Sequence, residues 1–209
     1  MKHAPARALS RCVIARRDLL IFGVMPREES DEALMLRYRN GEVRAFEQLY
    51  GRHKGPLFRF MLRQCGQRAV AEELFQDVWT NLIRGRDRYR VRAKFTTLLY
   101  RMARNRLIDY RRSATANPGH DQAAAKEPAE TAAVGAGPQD RLEAERTGTR
   151  LRALIASLPA DQRDAFLLRE EAGLRLEQIA DLTGVGTETV KSRLRYAVAK
   201  LKQALSEDS

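Results

Sequence analysis

Between Ser113 and Asp140 the chain cannot build a core of its own. Of these 28 residues nine are alanine, three glycine and three proline, and Val134 is the only large apolar side chain. With so little apolar mass, the entropy lost on ordering has nothing to offset it, so residues 113–140 are expected to form a flexible linker. The rest must then fold as two small units, over residues 31–112 and 141–209, with residues 1–30 as an N-terminal extension. Neither unit alternates with period two for long, whereas apolar residues at helical spacing recur throughout. The expected fold is all-α: two small helical domains joined by a tether.

Lys and Arg number 38 against 27 Asp and Glu, a formal charge of +11, so a polyanion is the first partner to consider. Nucleic acid and an anionic membrane both fit that charge. The longest apolar stretch, Leu19 to Met25, is interrupted by Gly23 and ends at Pro26. It falls short of the roughly 18 residues a bilayer span needs. No basic start, apolar run and cleavage site combine into a secretory signal, and a cytoplasmic protein is expected. Met25-Pro26, followed by an acidic cluster, marks an alternative translation start to Met1. Cys12 and Cys65 lack the paired spacing of a zinc site, and His3, His53 and His120 stand far apart, so neither metal nor cofactor is expected.

Residues 174–194 place a short helix, a turn containing Gly184 and a second helix in succession, the order of a helix-turn-helix. Leu176, Ile179, Ala180 and Leu182 are expected to pack, and Thr187 to cap the second helix. On that helix Val190, Leu194, Ala197, Val198, Leu201 and Leu205 form one stripe, with Glu188, Lys191, Ser192 and Arg195 nearly opposite. The second face is suited to base edges and phosphates in a major groove. Leu158-Pro159 opens a preceding helix whose Ala165, Phe166, Leu167 and Leu168 supply a floor for the pair.

In the first unit, residues 84–112 hold eleven Lys or Arg against only Asp87 and Asp109. Arg101, Arg104, Arg111 and Arg112 share one helical face, as a phosphate track would, with affinity falling steeply in salt. Interleaved aromatics suit unstacked bases better than an intact duplex. Phe95 and Tyr110 are as well explained by a core face with Leu98, Leu99 and Met102, which leaves Tyr89 and Tyr100 as the expected stacking surfaces. Upstream, a helix around residues 71–79 turns Val70, Leu74, Val78 and Leu82 inward and presents acidic and amide groups elsewhere. That surface fits either a basic protein partner or simple solvation. Asp87 and Asp109 are isolated, and no nucleophile with its base or carboxylate cluster appears, so an enzyme is not expected.

Residues 71–78, 99–112 and 189–194, in this order and spacing, resemble bacterial RNA polymerase sigma factors of the extracytoplasmic-function group. The resemblance spans about residues 31–205 without the linker. It implies that Glu72, Glu73, Gln76 and Asp77 bind the β′ clamp helices of core polymerase, with the β subunit as a further contact. It implies −10 element contacts from Tyr89, Arg90, Arg92, Lys94, Tyr100, Arg104, Asn105, Asp109, Arg111 and Arg112 as the element melts. Thr187, Glu188, Thr189, Lys191, Ser192, Arg193 and Arg195 would read the −35 element as duplex. It also implies an anti-sigma factor as a partner, and a free chain that is monomeric. Leu98 stands where many relatives carry tryptophan, and Glu188 where glycine is common, which leaves promoter specificity open. An autonomous helix-turn-helix regulator is the alternative; it would footprint duplex DNA without polymerase.

Overall fold

The computed structural model describes residues 29–116 and 148–206, and all regular structure among them is helical. Helix α1 spans Asp31–Arg39. Ser30 starts it by accepting the Ala33 N–H at 3.2 Å, and Asp31 and Glu32 in the first turn and Arg37 and Arg39 in the last complement the helix dipole. Leu34, Met35 and Tyr38 are its buried face. Helix α2, Val43–Cys65, buries Ala45, Leu49, Leu57, Phe60 and Met61, and carries Pro56 inside its span. It stops at Gly66, whose φ of 77° is left-handed and whose N–H reaches the Leu62 carbonyl at 2.8 Å.

Helix α3, Arg68–Arg84, buries Ala71, Leu74, Val78, Trp79 and Leu82, the i, i+3, i+7, i+8, i+11 spacing of one face. A single 3-10 turn, Arg86–Arg88, and an extended loop lead into α4, Phe95–Ala116. The four helices pack as a bundle, α1 on α2, α2 on α3, and α3 on α4. Tyr38, Phe46, Tyr50, Trp79, Phe75 and Phe58 form a chain of ring contacts with centroids 4.8–6.2 Å apart through its core.

The second unit comprises α5 (described over 148–156), α6 (Ala160–Glu170), α7 (Leu176–Thr183) and α8 (Thr187–Ser206). Helices α6 and α7 both pack on α8 around Leu167, Leu168, Ile179, Val190, Ala197 and Leu201. Burying each of these leucines and isoleucines contributes about 1.5–3 kcal/mol before ordering costs. Gly184, at φ 73°, makes the turn between α7 and α8, as the sequence predicts.

Several expectations need correction. Residues 113–116 continue α4, because nothing in Ser113-Ala114-Thr115-Ala116 stops a helix and the Thr115 hydroxyl returns to the Arg111 carbonyl at 2.7 Å. The remainder of the expected linker, residues 117–140, lies outside the described residues, as do residues 1–28 with Met25, Cys12 and His3, and also His120. Thr187 does not cap α8 from outside. It is the first helical residue, and Gly186 holds the cap position by accepting the Val190 N–H at 3.1 Å. Val198 is 38% exposed, since α6 and α7 cover only the Val190–Ala197–Leu201 side of α8.

Candidate nucleic-acid interface

The loop entering α4 is built around Tyr89. Its carbonyl accepts from Arg39 at 3.2 Å and from Arg90 at 2.9 Å, and Arg90 also reaches the Asp87 carbonyl at 3.2 Å. Helix α4 then begins with its first N–H, that of Phe95, donated at 2.8 Å to the Glu32 carboxylate of α1. A helix N-terminus leaves such donors unpaired, and here a carboxylate 63 residues earlier supplies the acceptor. Nothing in the local sequence singled out Glu32 for this role.

Behind the loop lies a cavity of about 400 Å³. Met35, Leu82, Leu98 and Met102 give it an apolar floor, and Arg88, Arg90, Arg92 and Arg101 surround it, with Thr97 and Asn81 as neutral polar groups. Arg88, Arg90, Arg92 and Lys94 are exposed. The arrangement places a base-sized apolar recess among cations able to hold the phosphates on either side. Leu98 is part of the floor.

The expected stacking surfaces are not exposed. Tyr89 is 7% exposed, and burial, with Glu32 and Asp31 nearby, pushes its hydroxyl pKa up. Tyr100 is 1% exposed, its ring edge-to-face against Phe60 at 5.1 Å and its hydroxyl donating to the Glu171 carbonyl at 3.2 Å. Burial first, then the Glu171 carboxylate, raises its pKa well above the ordinary tyrosine value. A single-helix projection missed this because Tyr100 is covered from two sides, by α2 and by the second unit. Phe95 is fully buried core.

The arginine track of α4 divides in two. Arg101, Asn105, Asp109 and Arg112 recur along one exposed face. Arg104 instead pairs with Asp164 of α6 at 2.8 Å and reaches the Leu182 carbonyl of α7 at 3.3 Å, while Arg111 donates to Gln64 of α2 at 2.7 Å. Arg106 pairs with Asp77 of α3.

On α8, Thr187, Glu188, Thr189, Lys191 and Arg195 are exposed, and Ser192 and Arg193 half-buried. Lys191 lies 3.6 Å from Glu188, and Arg195 sits over the Tyr196 ring at 5.1 Å. Arg193 is turned away from the outer face into a 2.5 Å ion pair with Asp161 of α6. On α3, Glu72, Glu73 and Gln76 are exposed; Glu72 pairs with Arg68 one turn earlier, and Asp77 is half-buried against Arg106. Asp77 lies one turn before the cavity-lining Asn81 on the same side of α3.

Comparison with known proteins fixes the family. Residues 49–117 match the family model for sigma-70 region 2, and residues 149–201 that for sigma-70 region 4. RNA polymerase sigma factor CarQ of Myxococcus xanthus is 30% identical over 173 residues, covering 83% of this chain and 96% of that protein. ECF RNA polymerase sigma factor SigM of Mycobacterium tuberculosis (H37Rv) is 29% identical over 178 residues, 85% of this chain and 86% of SigM. The chain belongs to the ECF group of the sigma-70 family. This sigma factor also shares its fold with RpoE of Bartonella quintana, solved with the anti-sigma factor NepR, at a TM-score of 0.62 and 22% identity over 78% of this chain and 98% of that one. CnrH, solved with the cytosolic domain of CnrY, gives 0.61 at 23% identity, covering 87% of this chain and all of the other.

Region 2 therefore runs from within α2 through the basic loop and α4, and region 4 from α5 through α8. Sigma factors act in transcription initiation and bind DNA, in keeping with the net positive charge of the chain. No described helix is long and apolar enough to cross a membrane, and no group of three or more described His, Cys, Asp or Glu residues is placed to hold a metal ion.

Proposed function

We propose that this sigma factor holds the −10 element as a melted strand and the −35 element as duplex. The observation that carries the reading is the cavity beneath the loop, with its apolar floor of Met35, Leu82, Leu98 and Met102 and its four-arginine rim. An unstacked base fills the recess while Arg88, Arg90, Arg92 and Arg101, with Lys94 beside them, bind the flanking phosphates. Asn105, Asp109 and Arg112 continue the contact along α4. Strand opening is then driven by preferential binding: the chain gains contacts with a flipped base that a paired base cannot make.

Helix α8 enters the major groove of the −35 duplex with Thr187, Glu188, Thr189, Lys191 and Arg195 outward. Ser192 lies at the edge of that surface, and Arg193 supports it by bracing α8 against Asp161. Glu72, Glu73, Gln76 and Asp77 of α3 give core polymerase an acidic face for its β′ clamp helices, and the β subunit contacts the remainder. Bond-making chemistry belongs to the polymerase, so this chain acts without a cofactor, as a monomer in the cytoplasm where DNA and polymerase are found. An anti-sigma factor is a further partner, supported by the fold neighbour from Bartonella quintana that was solved with one bound.

Run-off transcription by core polymerase on genomic promoter fragments, with a fluorescent base analogue in the −10 strand, tests the reading. New discrete starts with unstacking of the analogue are expected, and Arg101→Ala should reduce both. Footprints on duplex DNA without core, and no transcripts, would favour an autonomous regulator.

A further inference from the structure

Among the described residues Tyr196 of α8 carries the one exposed aromatic ring, 56% open to solvent. The packing of region 4 does not use it. Val190, Ala197 and Leu201 supply the buried side of α8. Tyr196 follows Ser192 by one turn and Thr189 by two, on the flank of the outward face. The long side chains further round that flank are tied back onto the bundle and brace the helix. Arg193 is held by Asp161 of α6 at 2.5 Å, and Lys200 donates at 3.0 Å to the Ser157 carbonyl in the turn between α5 and α6.

Arg195 touches the ring, its guanidinium lying 5.1 Å from the ring centre. A cation over an aromatic face is attracted by the ring quadrupole and covers that face. The contact restricts the side chain, so less rotamer freedom is left to lose when a partner arrives. A stacked guanidinium keeps its in-plane N–H donors free, so Arg195 is able to hold a phosphate while it steadies Tyr196. The rest of the ring is a rigid apolar surface open to solvent beside Thr189 and Ser192.

We propose that Tyr196 is a specificity-determining residue of this sigma factor, its ring packing on the C5-methyl group of a thymine in the −35 duplex. The inference rests on the reading of α8 as the helix that enters that major groove. The base edges there present hydrogen-bonding groups, and the thymine methyl is the apolar feature that an aromatic side chain can cover. Guanine and adenine would set acceptors or an amino group against the carbon face of the ring, and cytosine an amino group with no methyl. Thymine is thereby favoured at one position, while Arg195 on the neighbouring phosphate adds affinity without sequence preference.

The test uses core polymerase carrying this chain and a promoter fragment from which it starts transcription. Each thymine of the −35 element, on either strand, is replaced singly by deoxyuridine, which pairs as thymine does and lacks only the methyl. Wild type should bind one of the substituted duplexes about fourfold more weakly, the effect of one methyl group returned to water. Tyr196→Ala should bind that duplex and its thymine parent equally, and Tyr196→Phe, which keeps the ring, should restore the difference. A ring that only supports the fold would weaken both duplexes alike in Tyr196→Ala and leave their ratio at the wild-type value, which would overturn the proposal. So would a wild type indifferent to every methyl, or an element without thymine. Affinity that survives scrambling of the whole −35 segment would refute the reading of α8 itself, and the proposal with it.

Discussion

Replacing Glu32 by alanine removes the carboxylate that meets the first N–H of α4. The Phe95 N–H to Glu32 bond is 2.8 Å long, partly buried and joins α1 to the start of α4. Loss of an N-cap acceptor costs about 0.5–2 kcal/mol, and a hydrogen bond to an ionised group contributes about 1.5–3 kcal/mol. Partial access of water to the freed N–H places the expected loss near 1.5 kcal/mol. For a unit of under 100 residues each kcal/mol shifts Tm by roughly 4–8 °C, so region 2 should melt about 6–12 °C lower. Glu32→Gln keeps a carbonyl acceptor and loses mainly the charge–dipole attraction, about 0.5 kcal/mol, so its shift should be about a third as large. Thermal unfolding of the three proteins under identical conditions checks the series. Glu32→Ala melting within about 2–4 °C of wild type, the range expected of an uninvolved surface site at about ±0.5 kcal/mol, would refute the reasoning.

Three further outcomes are expected. Burial opposes ionisation of Asp31, but hydrogen bonds from His53 at 2.7 Å and Arg52 at 2.8 Å outweigh it and hold its carboxyl below the ordinary value of 3.8. A depressed folded pKa stabilises the fold above that value and is lost as pH falls through the folded one, so Asp31→Asn should flatten the decline of Tm below about pH 4; parallel pH profiles would contradict it. Gly184→Ala meets no atom within 4 Å but must hold φ 73°, so region 4 should lose about 1 kcal/mol by denaturant titration. Lys191→Ala with Arg195→Ala should lower the slope of log affinity against log salt on −35 duplex by about 0.9 for each phosphate no longer neutralised, whereas Arg193→Ala, whose guanidinium is held by Asp161, should leave that slope nearly unchanged.

What the sequence made legible is what local rules determine. The apolar spacing of α3, the Gly184 turn, and the outward placing of Glu188, Lys191 and Arg195 on α8 each follow from residues within a few turns of one another, although Ser192, expected on the same face, is half-buried. What it hid depends on partners distant along the chain. Glu32 is 63 residues from Phe95, Asp164 is 60 from Arg104, and Glu171 is 112 from Arg59, and no periodicity in one helix encodes which helix will face it. Tyr100 illustrates the limit. Its place on α4 suggests an accessible ring until Phe60 and Glu171 arrive from elsewhere. The cavity likewise needs Met35 of α1, Leu82 of α3 and Met102 of α4 together, and only folding assembles them.

The aromatic chain through region 2 carries a built-in optical reporter. Trp79 is the single tryptophan of the protein, 5% exposed, and it sits on the same helix as Glu72, Glu73 and Asp77. Region 4 contributes no indole, so tryptophan emission follows the unfolding of region 2 alone, whereas far-ultraviolet dichroism counts helices in both units. Loss of the two signals together would report one cooperative transition, and loss at separate temperatures would report two units that unfold independently.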